Sequence, residues 1–144
     1  MKFMIIVPAS KESEAGQLPS GEELAKMGAF NEELVKAGVM LAGEGLHASS
    51  KGARITFEGA GKTAVKDGPF AETKELIAGF WIIQVKSREE AIQWMKRAPF
   101  PAGTTLEIRQ LFADEDFAPS DPTGELREKE AKLREQVEKQ NAKS

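Results

Sequence analysis

The sequence contains no cysteine. Disulfides, thiolate metal sites and a cysteine nucleophile are therefore excluded, and the usage fits a reducing compartment. Histidine occurs once, as His47. A metal site assembled from His47, Glu44 and Asp67 would have one imidazole and no tight ligand spacing, so no metal is expected. No basic cluster is longer than a pair, and the formal net charge is −3. The basic stripe with which nucleic-acid binders neutralise phosphates is missing, which counts against DNA or RNA. Long apolar runs are missing too: none approaches the ~18 residues of a membrane helix. In "MKFMIIVPAS" the apolar part, Phe3 to Val7, is too short for the hydrophobic region of a signal peptide and suits a buried strand. No phosphate loop, Gly-rich nucleotide fingerprint or internal repeat occurs. The expectation is a cytoplasmic protein with no cofactor and no membrane or nucleic-acid partner.

What is present is a globular balance. Hydrophobic residues make up 40% and charged residues 30% of a 144-residue chain, enough for one domain with a genuine core. From Phe3 to Val7 the chain is continuously apolar, as in a central strand covered on both faces. A polar loop (8–19) follows. Ser20 stands three residues before Glu23, a capping box in which each side chain satisfies the other residue's free backbone donor. Leu24, Met27, Phe30 and Leu34 recur at helical spacing and Gly38 follows Lys36 as a stop. That spacing predicts a helix over about 21–37. Val39 to Leu46 reads as a strand. "ARITFEGAGKTAV" reads as a hairpin, in which Ile55 and Phe57 alternate with Arg54, Thr56 and Glu58 before a Gly-Ala-Gly turn. "LIAGFWIIQV" (76–85) is a second long apolar strand. Ser87 and Glu90 form another capping box, Ala91, Trp94, Met95 and Ala98 one helical face, and Pro99 an end. "TLEIRQL" (105–111) alternates, with Leu106 and Ile108 on one side and Glu107 and Arg109 on the other.

Strand, helix, strand, hairpin, strand, helix, strand is the order of two βαβ-like halves around one antiparallel sheet. It predicts a ferredoxin-like α+β sandwich with an inserted hairpin over residues 1–113. Helices would cover one sheet face only, and the other, partly apolar face invites a second subunit. Residues 114–144 read as a linker and a charged C-terminal helix that starts at Asp121 and Pro122. Acids precede bases by four residues at Glu125–Lys129, Glu128–Lys132, Glu130–Arg134 and Glu135–Lys139, the favourable order for helical ion pairs. Leu126, Leu133 and Val137 form a narrow apolar stripe.

The side chains with chemistry concentrate in "VKDGPFAETKEL" (65–76). There Asp-Gly-Pro is a turn signal set among Asp67, Phe70, Glu72, Thr73 and Lys74. His47, in "GEGLHASS", follows the strand before the hairpin, and Asp67 ends the hairpin. If the hairpin folds back, the two meet. His47 is the side chain able to move a proton near neutrality, and an Asp beside it would fix its tautomer, as general acid–base catalysis requires. The plainer readings are a surface histidine and a corner that only connects. Arg109 offers a planar fork for an anionic substrate group, or simply an ion pair with Glu107. Phe70 anchors the loop or walls a pocket. Trp81, in mid-strand, is a core residue or a pocket wall. Glu72 and Lys74 read as loop-ordering ions.

"DGPFAETKELIAGFWIIQVKSREEAIQW", with "GEGLHASSKGARI" before it and "EIRQ" after, resembles the YCII-related proteins, and among them the branch named for its Asp-Gly-Pro-Phe motif. The resemblance covers residues 2–113, and the tail "GELREKEAKLREQ" is similar to extensions in that branch. It implies a ferredoxin-like fold dimerising through sheet faces, the dimeric α/β barrel. It also implies an active site in a cleft around a His and an Asp, here His47 and Asp67. Ala48 stands where a proline is usual, and Gln110 follows Arg109 where the family often has proline. Both departures bear on local backbone. The resemblance names no substrate.

Together these readings predict a homodimer that binds a small molecule and transfers protons, in an elimination or isomerisation. His47 is then the general acid or base, Asp67 orients it, and Arg109, Phe70 and Trp81 contact the ligand. The competing prediction is a non-catalytic dimeric interaction or regulatory module in which "DGPF" is only a corner.

Overall fold

Lys2–Pro8 forms β1, and its alternate residues Phe3 and Ile5 are buried. The structure, a computed structural model, describes residues 1–72 and 75–143. Contacts divide the chain into two units, Met1–Gln110 and Leu111–Ser144.

In the first unit β1 lies antiparallel between β5 (Ile77–Gln84) and β6 (Glu107–Gln110), and β2 (Met40–Gly45) extends the sheet beyond β5. The order β2-β5-β1-β6 is what two interleaved βαβ halves produce once the hairpin is set aside. It places the two most apolar strands at the centre. Register sets Ile5 opposite Trp81 and Ile108, and Phe3 opposite Ile83. These side chains share one face. Phe30 and Leu34 of α2 (Gly21–Lys36) and Ala91 and Met95 of α3 (Arg88–Met95) close the core over it. A large aliphatic or aromatic side chain contributes about 1.5–3 kcal/mol when fully buried, and Phe3, Ile5, Leu34 and Ile83 are all fully buried.

Both longer helices of the first unit start where their caps dictate. Ser20 Oγ accepts the Glu23 N–H and Ser87 Oγ accepts the Glu90 N–H, each at 3.1 Å, a cap of about 1 kcal/mol. The Glu90 carboxylate reaches back to the N–H of Lys86, one residue short of the expected Ser87. The "polar loop" 8–19 holds a short helix that sequence patterning left out, α1 (Lys11–Glu14), closed by reciprocal bonds between Ser10 and Ser13.

Among the described residues of the first unit, both core helices pack on that one sheet face. On the opposite face Met4, Ile6, Phe80 and Ile82 lie half-buried, and Glu107 and Arg109 extend it, as the alternation of "TLEIRQL" predicts. The hairpin, β3 (Ala53–Gly59) and β4 (Lys62–Asp67), is a two-stranded sheet of its own, exposed along both strands.

The second unit departs from the sequence reading in three ways. Its linker is ordered as 3₁₀ turns over Asp114–Ser120, and α4 (Glu125–Ala142) starts at Glu125 rather than at Asp121 and Pro122. Asp121 is a remote cap instead. Its carboxylate accepts the N–H groups of Leu126 (3.2 Å) and Arg127 (2.9 Å) and the Arg127 Nε (3.1 Å), across a left-handed Gly124. Among the predicted ion pairs Glu128–Lys132 closes at 3.7 Å, whereas Arg134 turns to Asp114 rather than to Glu130. Leu126, Leu133 and Val137 are exposed. No described helix is long and apolar enough to cross a membrane.

The Asp121 side chain is 6% exposed, and its bonds, the Arg127 N–H first, hold its carboxyl below the usual carboxylate range. A depressed carboxyl stabilises its fold above the ordinary Asp range and loses that contribution as pH falls through the depressed value. Asp121→Ala should therefore reduce the helical circular dichroism of the chain at neutral pH. The difference from wild type should vanish in acid; a difference that persists there would remove the charge from this account.

Candidate functional site

The corner is built around Ser49. Leu46 leaves β2 with its N–H on the Ala78 carbonyl at 2.7 Å, and the chain turns through a 3₁₀ turn at Ser49–Lys51. Ser49 Oγ donates to the Glu14 carboxylate of α1, and the Ser49 N–H donates to Oε2 of the same carboxylate at 2.9 Å. The hydroxyl oxygen also accepts the N–H of Phe70 at 3.0 Å. Beside it the Gly68 N–H donates to the Gly52 carbonyl at 3.0 Å. A Cβ on Gly68 would sit 1.8 Å from the Ser49 carbonyl oxygen, so only glycine permits this approach of backbone to backbone. The Phe70 ring carries the Arg54 guanidinium 3.8 Å from its centroid. "HASSKG" and "DGPF" are thus one cross-braced structure, with α1 as its third member.

The Ser49 hydroxyl, and after it the Ser49 N–H, hold the Glu14 carboxyl below its ordinary range. By the same linkage, Glu14→Gln should destabilise the protein at neutral pH, and the gap to wild type should close as pH falls through the depressed value. Denaturant titrations at several pH values measure it; a gap independent of pH would mean that Glu14 acts by shape alone.

His47 and Asp67 are both exposed. Among the described residues no hydrogen bond or ion pair joins them to each other or to a third side chain. What the fold brings together is their segments: His47 stands two residues before Ser49, and Asp67 one before Gly68. Register with Ala53 puts Asp67 on the hairpin face of Ile55 and Val65. Phe70 is half-buried in the brace. Trp81 lies in the helix-side core, 5% exposed. Its indole N–H donates to Asn31 Oδ1 at 2.9 Å, and Phe30 and Phe100 meet its ring edge-on. Arg109 is exposed on β6, the sheet edge opposite β2, and its Nη1 pairs with Glu107 at 3.2 Å. Glu72 is exposed; Thr73 and Lys74 lie outside the described residues.

Glu14 and Ser49 went unnoticed in the sequence. The signal was there in the Ser10–Ser13 spacing, which turns a polar loop into a helix and presents Glu14 at its end. A groove of about 410 Å³ in the second unit is lined by Phe117, Leu126, Arg127 and Arg134. Its arginines already serve Asp121 and Asp114, so it reads as the seam of a helical turn.

Comparison with known proteins matches residues 1–115 to the YCII-related domain. An uncharacterised protein of Rhizobium meliloti (strain 1021) is 43% identical over 54 residues, 36% of this chain and 44% of that protein. The match thus spans less than half the length of that relative. Among solved structures, a 5-chloro-2-hydroxyhydroquinone dehydrochlorinase from Burkholderia phenoliruptrix AC1100, in complex with 2,5-dihydroxybenzoquinone, is similar. It is 18% identical, with a TM-score of 0.41, over 80% of this chain and 98% of that one.

Proposed function

The chain belongs to the YCII-related domain family, and from that premise we propose a homodimeric small-molecule-binding protein whose ligand site is the braced corner. Within the family the Asp-Gly-Pro-Phe motif supports a place in the branch of that name. Two ferredoxin-like protomers pack their open sheet faces together as a dimeric α/β barrel. In the resulting cleft His47 exchanges a proton with the ligand and Asp67 orients the imidazole, in an elimination or isomerisation. One observation supports this reading above the others. The segments carrying His47 and Asp67 are pinned to each other through Ser49 and Gly68, while neither side chain bonds to another among the described residues.

The same freedom favours a second reading, a non-catalytic dimeric module. Ile55, Phe57 and Val65, exposed at 61%, 83% and 65%, would then be contact residues for another protein.

One measurement tests the dimer that both readings share, and a second separates them. Light scattering should report the mass of two chains; one chain's mass across micromolar concentrations would remove the dimer and the cleft with it. A thermal-shift screen of aromatic and carboxylic acids should find compounds that raise the wild-type Tm but not that of His47→Ala or Asp67→Ala. A screen in which no compound distinguishes wild type from the variants would leave the module.

A further inference from the structure

The hairpin has a second face, and it carries uncompensated charge. Register pairs Arg54 directly with Lys66 across the two strands, so two cations leave one face as neighbours. Like charges so placed are destabilising. No carboxylate among the described residues pairs with either one. Asp67, the acid adjacent in sequence, pairs with Ala53 in the ladder and belongs to the opposite face.

Arg54 is nevertheless held in place. Its guanidinium lies over the Phe70 ring at 3.8 Å, and the Phe70 backbone is fixed by Ser49 Oγ. A guanidinium whose carbon is held over an aromatic face is fixed in place while it still has N–H donors to offer an acceptor. That is a pre-formed fork for a planar anion. Arg109, the fork apparent from sequence, is already taken by Glu107.

We propose that the corner binds a small organic carboxylate, with Arg54 as the bidentate fork, Lys66 as the second positive charge and Phe70 as the platform. The site goes beyond the His47–Asp67 reading because it requires no proton transfer.

The test uses the full chain and sodium benzoate as the probe, with sodium chloride at equal ionic strength as the control. NMR follows the Arg54 Nε–Hε signal and the Phe70 amide. Benzoate should move both signals saturably. Arg54→Lys keeps the charge but cannot fork, and should raise the Kd at least tenfold; Lys66→Gln should raise it several-fold. The proposal is overturned by shifts no greater than with chloride, or by an unchanged Kd in both variants. Inorganic phosphate that saturates the signals where benzoate does not would also overturn the carboxylate assignment. His47 and Asp67 are intact throughout, so failure here is distinct from failure of the proton-transfer reading.

Discussion

Gly68→Ala is expected to destabilise the protein at or above the top of the ~1–3 kcal/mol range typical of overpacked sites. The added methyl would meet the Ser49 carbonyl oxygen at 1.8 Å, the Ser49 carbonyl carbon at 2.6 Å and the Ser50 nitrogen at 3.2 Å. All three are backbone atoms, so no side-chain rotation relieves the clash. The 3₁₀ turn at 49–51 has to retreat. That movement breaks the Gly68–Gly52 bond, the Phe70–Ser49 bond and the paired contacts of Ser49 with Glu14. Gly45→Ala is the matched control, because a Cβ there meets nothing within 4 Å, and it should change stability by less than about 0.5 kcal/mol. Denaturant unfolding of the two variants decides the matter. Equal stabilities would mean that "DGPF" is not pressed against the His47 loop.

The parts of the fold that were legible in the sequence are those set by burial and by caps. The apolar run from Phe3 to Val7 and that from Leu76 to Val85 mark the two central strands, since each is mostly buried on one face and mostly half-buried on the other. Ser20 and Ser87 mark the helix starts because their hydroxyls have a local donor to satisfy. The hairpin was legible from its alternation and its glycines. The Glu14–Ser49 contact was not, for a physical reason: it joins residues 35 positions apart, and two common polar side chains leave no periodic trace. Asp121 was read as the first residue of a helix because Pro122 suits such a start. The chain instead loops through Gly124 and returns the carboxylate to donors five and six residues on. Of the predicted surface ion pairs Glu128–Lys132 forms, and the exchange of partner at Arg134 has another reason. Each such pair is worth only a few tenths of a kcal/mol, too little for spacing to decide between Glu130 and Asp114 as partners of Arg134.

His47→Gln carries the other large expected effect, on chemistry rather than on stability. A positioned general acid or base is worth about 10²–10⁴-fold in rate, and glutamine keeps the hydrogen-bonding capacity of the imidazole without its ability to take and return a proton near neutrality. Because His47 is exposed and bonds to no other side chain among the described residues, the substitution should leave the melting temperature unchanged. Asp67→Asn should slow the same step by loosening the orientation of the ring. The direct measurement is deuterium wash-in from D₂O into the carbon-bound protons of acids that raise the wild-type Tm, followed by NMR with wild type and His47→Gln. The account predicts exchange with wild type and a rate at least about 100-fold lower with the variant at equal stability. No exchange with wild type, or equal rates with both proteins, would contradict it.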